Sequence, residues 1–216
     1  MSEEPKKDNK TGVNPLEQNM SDMNAIPVER HPLKPFLPPN ARLLMLGSFP
    51  PPRKRWCMDF FYPNRTNQMW NIFGEVFFGD SDYLVDAANR TFRLKEIQAL
   101  LREKGIGIFD TATAIRRLSG NASDKDLDIV EKTDIPALLK QMPLCHDLVC
   151  TGQKSFSVIT EDYGVPTPMM GKYNEFMLAD RPMRLWRMPS SSRAFPMKLP
   201  EKASYYRSMM LQIGLI

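Results

Sequence analysis

Cations and aromatic rings are interleaved in one loop of this sequence: Arg53, Lys54, Arg55 and Arg65 stand among Trp56, Phe60, Phe61 and Tyr62. Positive charge suits phosphates and ring faces suit stacked bases, so the mixture fits a ligand that carries both. The loop ends at Asn67, just before the apolar stretch 69–78. Other groups able to do chemistry follow short apolar runs: Gly47-Ser48, Asp110-Thr111, Thr151-Gly152 and Ser190-Ser191-Ser192 after Pro189. Arg116, Arg117 and Arg193 lie close to them in sequence. Phe49, beside Pro50 just past a strand end, offers a ring face for stacking. The serine run, followed by Arg193 and Phe195, suits a loop that grips phosphate. Plainer roles exist for several of these residues. Ser48 can bond its own turn, Asn67 can cap a helix, and Asp110 can either cap or read the edge of a base. His31 and His146 sit in no partner pattern and receive no role.

Such groups act together only if the elements between them bring them to one place. Leu43-Leu44-Met45-Leu46, bounded by Gly47, is too short for a helix and reads as a strand buried on both faces. Pro50 to Pro52 then force an extended exit. Further strands are expected at 106–109, 146–150 and 183–188, with a short one near 175–178. Helices are expected at about 68–78, 92–104, 134–141, 153–159 and from Leu199 onward. Residues 119–132 are charged and aperiodic, which reads as a surface loop. Strands alternating with helices imply an α/β domain, a three-layer αβα sandwich around a mostly parallel four-stranded sheet. In such a sheet the polar strand ends share one edge and line one cleft. Residues 1–38, polar and proline-rich, read as a flexible arm, with 32–39 draping over a single domain spanning 39–216.

A chain of 216 residues is long enough for one full core. No apolar run approaches the ~18 residues of a membrane span. The first 24 residues lack the apolar stretch of a secretory signal, and Cys57, Cys145 and Cys150 make no disulfide framework. A cytoplasmic protein with free thiols is therefore expected. A net charge of +4 permits contact with nucleic acid without demanding it. The expected partner is double- or single-stranded DNA, with no membrane, no metal, no cofactor and a monomeric state.

Gly47-Ser48-Phe49-Pro50, Tyr62-Pro63-Asn64, Asn67-Gln68-Met69-Trp70 and Arg187 to Ser192 together resemble, in order and spacing, the motifs of the uracil-DNA glycosylase superfamily. The nearest branch is that of the mismatch-specific and hypoxanthine-DNA glycosylases, and the likeness in register covers about residues 41–212. It implies that family's fold and a DNA repair activity: a deaminated base (uracil or hypoxanthine type) is flipped out and its N-glycosidic bond hydrolysed. It implies catalytic roles for Asn67 and Ser48. Gly47, Phe49, Pro50, Tyr62, Asp110, Thr151, Pro189, Ser190, Ser191, Ser192 and Arg193 would bind substrate or DNA. Some branches hold an iron–sulfur cluster on four cysteines, which the three here do not match. The chain also departs from the family pattern. Phe49 stands where uracil-excising members carry Asp or Asn, Met188 where many carry His or Asn, and Thr151 where the hypoxanthine branch commonly has Asn. The alternative is a superfamily member that binds DNA without excising a base.

Overall fold

A computed structural model describes residues 26–119 and 126–216. In chain order its elements are β1 (Val28–Arg30), β2 (Leu43–Gly47), a single 3-10 turn (Arg53–Arg55), α1 (Met69–Phe78), β3 (Val85–Asp86), β4 (Thr91–Phe92) and α2 (Leu94–Lys104). There follow β5 (Ile106–Asp110), β6 (Ala112–Arg117), β7 (Leu127–Lys132), α3 (Ile135–Lys140), β8 (Asp147–Cys150), α4 (Gln153–Tyr163), β9 (Tyr173–Leu178), β10 (Arg181–Arg187) and α5 (Leu199–Ile213).

The central sheet runs β5-β2-β8-β10-β9. The first four strands are parallel and β9 pairs antiparallel with β10 at the edge. Helices flank it, as expected of a three-layer α/β sandwich, but the sheet has five strands rather than four. The short strand expected near 175–178 is a full edge strand of six residues. β2 is buried along its whole length, which its unbroken apolar run requires. Each of Leu43, Leu44, Met45 and Leu46 is fully buried, worth roughly 1.5–3 kcal/mol apiece against exposure. A buried carboxylate ties the next two strands together. Asp147 on β8 accepts from Trp186 Nε1 at 2.6 Å and from Arg184 Nη2 at 2.7 Å, both on β10. Asp134 caps α3 by accepting from Ala137 N at 3.0 Å, with proline tolerated in the first turn.

A second, three-stranded antiparallel sheet, β1-β6-β7, corrects two expectations. Of the loop expected over 119–132, Leu127–Lys132 is strand β7; residues 120–125 lie outside those described. Of the arm expected over 1–38, Val28–Arg30 pairs with Ala114–Arg116, while Phe36, in the part expected to drape over the domain, bridges to Ile108 with both backbone bonds made, at 3.0 and 2.9 Å. β6, continuing past the central sheet, offers the edge for Val28–Arg30, and β5, the edge strand of the central sheet, offers the one for Phe36. Residues 1–25 lie outside those described. Among the described residues, no helix is long and apolar enough to cross a membrane.

Candidate functional site

Chain order and spatial order diverge at β2. The strand after it in the sheet sequence, β5, lies on one side, and β8 lies on the other. That divergence opens a crevice at the carboxyl ends of β2 and β8, where open α/β sheets take their ligands. A cavity of about 850 Å³ occupies this position. Gly47, Ser48, Phe49, Pro50, Tyr62, Asn67, Asp110, Thr151, Ser190, Ser191 and Ser192 all line it, so eleven of the sequence candidates meet. Pro189 and Arg193 do not. Pro189 is buried with its carbonyl accepting from Tyr206 Oη at 3.1 Å, and Arg193 is exposed outside the cavity.

Strand register builds the floor. Gly47 is paired with Asp110 at the end of β5, and Leu46 with Cys150, which places Thr151 just past the end of β8. Asp110 reaches over the glycine: a Cβ at position 47 would lie 2.1 Å from Asp110 Oδ1. Only glycine admits that approach, which explains Gly47 better than any turn does. Asp110 Oδ2 in turn pairs with His31 Nε2 at 2.9 Å, and the imidazole side chain is only 3% exposed. The ring is held among Phe49, Phe61 and Phe109, at centroid distances of 5.3, 6.2 and 4.6 Å.

Tyr62 forms the opposite side. Its backbone is left-handed (φ 50°), unusual for a bulky residue and typical of sites where the fold dictates a side chain's aim. Its hydroxyl lies 2.8 Å from Thr151 Oγ1, which also reaches the Leu46 carbonyl at 3.5 Å. If Thr151 donates to that carbonyl, the phenol is the donor to Thr151. Burial pushes the Tyr62 phenol well above its ordinary pKa, so it stays neutral. Thr151 thus fixes the tyrosine ring.

Asn67 lines the cavity and also braces α1. Its Oδ1 accepts from Met69 N at 2.9 Å, while the residue directly before the helix is Gln68. Because an N–H points at this end of the amide, it is the oxygen, and the NH2 is left with its donors. The strand-like bridge Asn67–Ser192 and the bond from Gln68 N to Ser191 O (2.8 Å) fasten the serine loop to the start of α1. Behind that loop is Lys202 of α5, a residue with no exposed surface. Its ammonium donates to Ser192 O at 2.6 Å and Gln68 Oε1 at 2.9 Å, and burial lowers its pKa. Among the described residues it has no carboxylate within ion-pair distance.

The cations divide unevenly. Arg55 and Lys154 line the cavity. Arg117 does too, but it is clamped by both oxygens of Glu29 (3.1 and 3.0 Å) and by Pro50 O (3.1 Å), so much of its charge is spent on β1. Arg116 pairs with Asp128, and Arg53 pairs with Asp59 while covering the Trp56 ring at 4.3 Å. Phe49 lines the cavity and also packs with Ala112, Ile115 and Leu127, leaving it 8% exposed. Met188 is buried and does not reach the cavity.

Sequence reasoning missed His31, Lys202 and Lys154. Lys202 stands between Leu199 and Tyr206 at helical spacing from both, and that placement was its only signal. Among the described residues no three His, Cys, Asp or Glu side chains come together in a way that would hold a metal ion. Cys145 and Cys150 are buried free thiols, each pushed up to about 12 by burial.

This architecture is found in known structures. The chain is similar to a presumptive uracil DNA glycosylase from Methanosarcina acetivorans, solved by solution NMR. The two share 20% identity and superpose with a TM-score of 0.58 over 87% of this chain and 99% of the other. The likeness is one of fold: the chain shares the α/β architecture of that protein. Its sequence matches no family profile, and it matches no curated protein.

Proposed function

We propose that the protein is a DNA glycosylase that flips a deaminated base out of DNA and hydrolyses its N-glycosidic bond. The observation that carries this reading is the convergence, in one cavity at the strand ends, of Phe49, Tyr62, Asp110, Asn67 and the 190–192 serine loop. The sugar–base bond is inaccessible within a stacked duplex, so the nucleotide must leave it. A base enters such a cleft first, because its sugar is tethered to phosphates outside. Phe49 and Tyr62 flank it, Asp110 meets its far edge, and Ser190 to Ser192, backed by the Lys202 charge, hold phosphate near the mouth. Arg55 and Lys154 add positive charge there, and Arg193 serves DNA outside the cavity.

Cleavage leaves positive charge on the sugar and negative charge on the base. Preorganised dipoles therefore govern the rate. Asn67 cannot act as a base near neutral pH. Its Oδ1, with a second lone pair beyond the Met69 bond, can hold the attacking water, and its NH2 can donate to a developing anion. Ser48, at the end of β2, adds a hydroxyl beside the reacting centre. Water adds to C1′, the departing base takes the bonding pair, and the released proton and the base anion are settled by solvent. The protein acts on DNA as a monomer in the cytoplasm, without a metal or cofactor. Lesion choice lies between the uracil and hypoxanthine types, as in the mismatch-specific and hypoxanthine branch.

One feature favours the second reading, a DNA-binding protein without excision: the two apolar residues at usual polar positions. Phe49 and Met188 are both apolar, and Met188 is buried away from the cavity, so neither supplies a catalytic dipole. Excision assays over duplexes carrying uracil, hypoxanthine, xanthine or mismatches separate the two. For an enzyme, Asn67→Ala cuts single-turnover excision by ~10²–10³ with little change in lesion affinity. Wild-type protein that binds lesion duplexes tightly and releases no base from any of them would sink the enzyme reading.

A further inference from the structure

We propose that His31 is a positioning residue of the cleft, and that it acts through Asp110. This inference rests on the reading of the cavity as a base-binding site. Three observations place the histidine. Its ring is sealed among Phe49, Phe61 and Phe109 with the side chain 3% exposed, so it does not meet a ligand directly. Its Nε2 lies 2.9 Å from Asp110 Oδ2. Its Nδ1 lies 2.9 Å from Leu33 O and 3.2 Å from Leu33 N, which anchors the far side of the ring in either protonation state.

The consequence falls on the other carboxylate oxygen. With Oδ2 held by His31, the carboxyl plane is fixed and Oδ1 stays over Gly47, on the cavity floor between β2 and β5. With Oδ2 engaged by the imidazole, Oδ1 is placed to accept a hydrogen bond. Deamination changes a base edge in the matching sense. The ring nitrogen of cytosine or adenine is an acceptor, while the corresponding nitrogen of uracil or hypoxanthine carries hydrogen and sits beside a carbonyl. Asp110 Oδ1 would receive that N–H and repel the lone pair of the parent base. His31 makes this discrimination sharp by keeping the acceptor still. A carboxylate free to turn could present another face or draw in water to bridge to the parent base, and selectivity would fall.

The histidine enters from a segment outside the central sheet. β1 pairs with β6, and the chain turns at His31, whose backbone N donates to Thr113 O at 2.8 Å. The second sheet thus has a job at the site: it delivers a side chain behind the carboxylate.

The test uses the full chain and four variants: His31→Ala, His31→Gln, Asp110→Asn and the His31→Ala/Asp110→Asn double. Gln places an amide N–H about where Nε2 stands, so it can restore the bond without the ring. Single-turnover excision and lesion-over-parent binding are measured on uracil versus cytosine and hypoxanthine versus adenine duplexes, with thermal melts alongside. His31→Ala should lower both excision and lesion preference about 10–100-fold, the scale of one charge-assisted hydrogen bond. His31→Gln should recover most of that loss, and the double variant should be no worse than Asp110→Asn. A His31→Ala effect that adds fully to Asp110→Asn, or that Gln does not rescue, overturns the proposal, as does a lower melting point with unchanged lesion preference. If the wild type excises nothing but prefers lesion duplexes, and His31→Ala abolishes that preference, the glycosylase reading fails and the positioning role stands. If the wild type neither excises nor prefers any lesion, both are overturned.

Discussion

Replacing Gly47 by alanine tests the floor of the cleft most directly. Strand register sets Gly47 beside Asp110, and a methyl group there would stand 2.1 Å from Oδ1 and 3.3 Å from Cγ. A carbon and an oxygen sit comfortably at about 3.3–3.6 Å, so the carboxylate must retreat by about 1 Å or more. It has little freedom to do so, because Oδ2 is bound to His31 and the backbone ends a fully buried strand. Overpacking of this kind costs about 1–3 kcal/mol, and loss of the charge-assisted bond to His31 about 1.5–3 kcal/mol. A combined loss of about 2.5–6 kcal/mol is expected from urea unfolding if both occur. Intrinsic propensity runs the other way, since alanine in a strand should gain roughly 0.5–1 kcal/mol over glycine. Any large loss must therefore come from the clash. The decisive measurement is a double-mutant cycle with Asp110→Ala, which empties the space the methyl group needs. In that background Gly47→Ala should cost less than about 1 kcal/mol, giving a coupling of a few kcal/mol. An equal cost in both backgrounds, or a Gly47→Ala protein as stable as wild type, would refute the placement of the carboxylate over the glycine.

Three more outcomes follow from the same geometry. Phe49→Ala should cost about 3 kcal/mol of stability because the ring is packed into Ala112, Ile115 and Leu127, whereas Phe49→Leu should keep most of the stability yet lose about 1–3 kcal/mol of lesion binding; thermal melts and fluorescence anisotropy read the two effects separately, and leucine binding lesions as well as phenylalanine would remove the stacking role. Converting Arg53, Lys54 and Arg55 together to glutamate should weaken DNA binding and flatten its log–log salt dependence, whose slope is about −0.9 per phosphate neutralised on duplex; the change should come more from Arg55, which lines the cavity, than from Arg53, already paired with Asp59. Stability should fall on the alkaline side: Cys145 and Cys150 are raised from 9.0 to about 12, so between those values the unfolded chain sheds thiol protons that the native chain keeps, and the native state loses ground as pH rises. Urea midpoints followed from about pH 8 to about pH 11 should drop, and less so in Cys150→Ala; a drop of equal size in that variant would assign the alkaline loss elsewhere.

What could be read from the sequence depended on how local each signal was. β2, β5 and β8 were legible because a strand buried on both faces must be a short, continuous apolar run, whatever surrounds it. Their polar ends were legible for the same reason, and with them Gly47, Ser48, Asp110 and Thr151 of the cavity lining. The second sheet left no such trace. β7 buries only Leu127 fully among its six residues, and β6 has register shifts at Ala114 that break alternation. Neither shows the period of two that marks a half-buried strand. β1 is three residues long with mostly exposed side chains, so nothing in Val28-Glu29-Arg30 announces it. The pairing of that short strand is what decides His31. The histidine lies 79 residues from Asp110 and among prolines that suggested an extended tail. Its role exists only once β1 has found β6 and turned the chain back over the ends of β2 and β5. Asn67 shows the opposite limit. Its position before an apolar helix suggests a cap, but the cap position is Gln68, and Asn67 from one residue earlier accepts from Met69 N instead. That bond occupies one lone pair and fixes which end of the amide is which, so the same contact that looks purely structural also points an oriented group at the cavity. Structural and functional readings of Asn67 were never exclusive, because holding an amide in one orientation is how a fold preorganises a dipole.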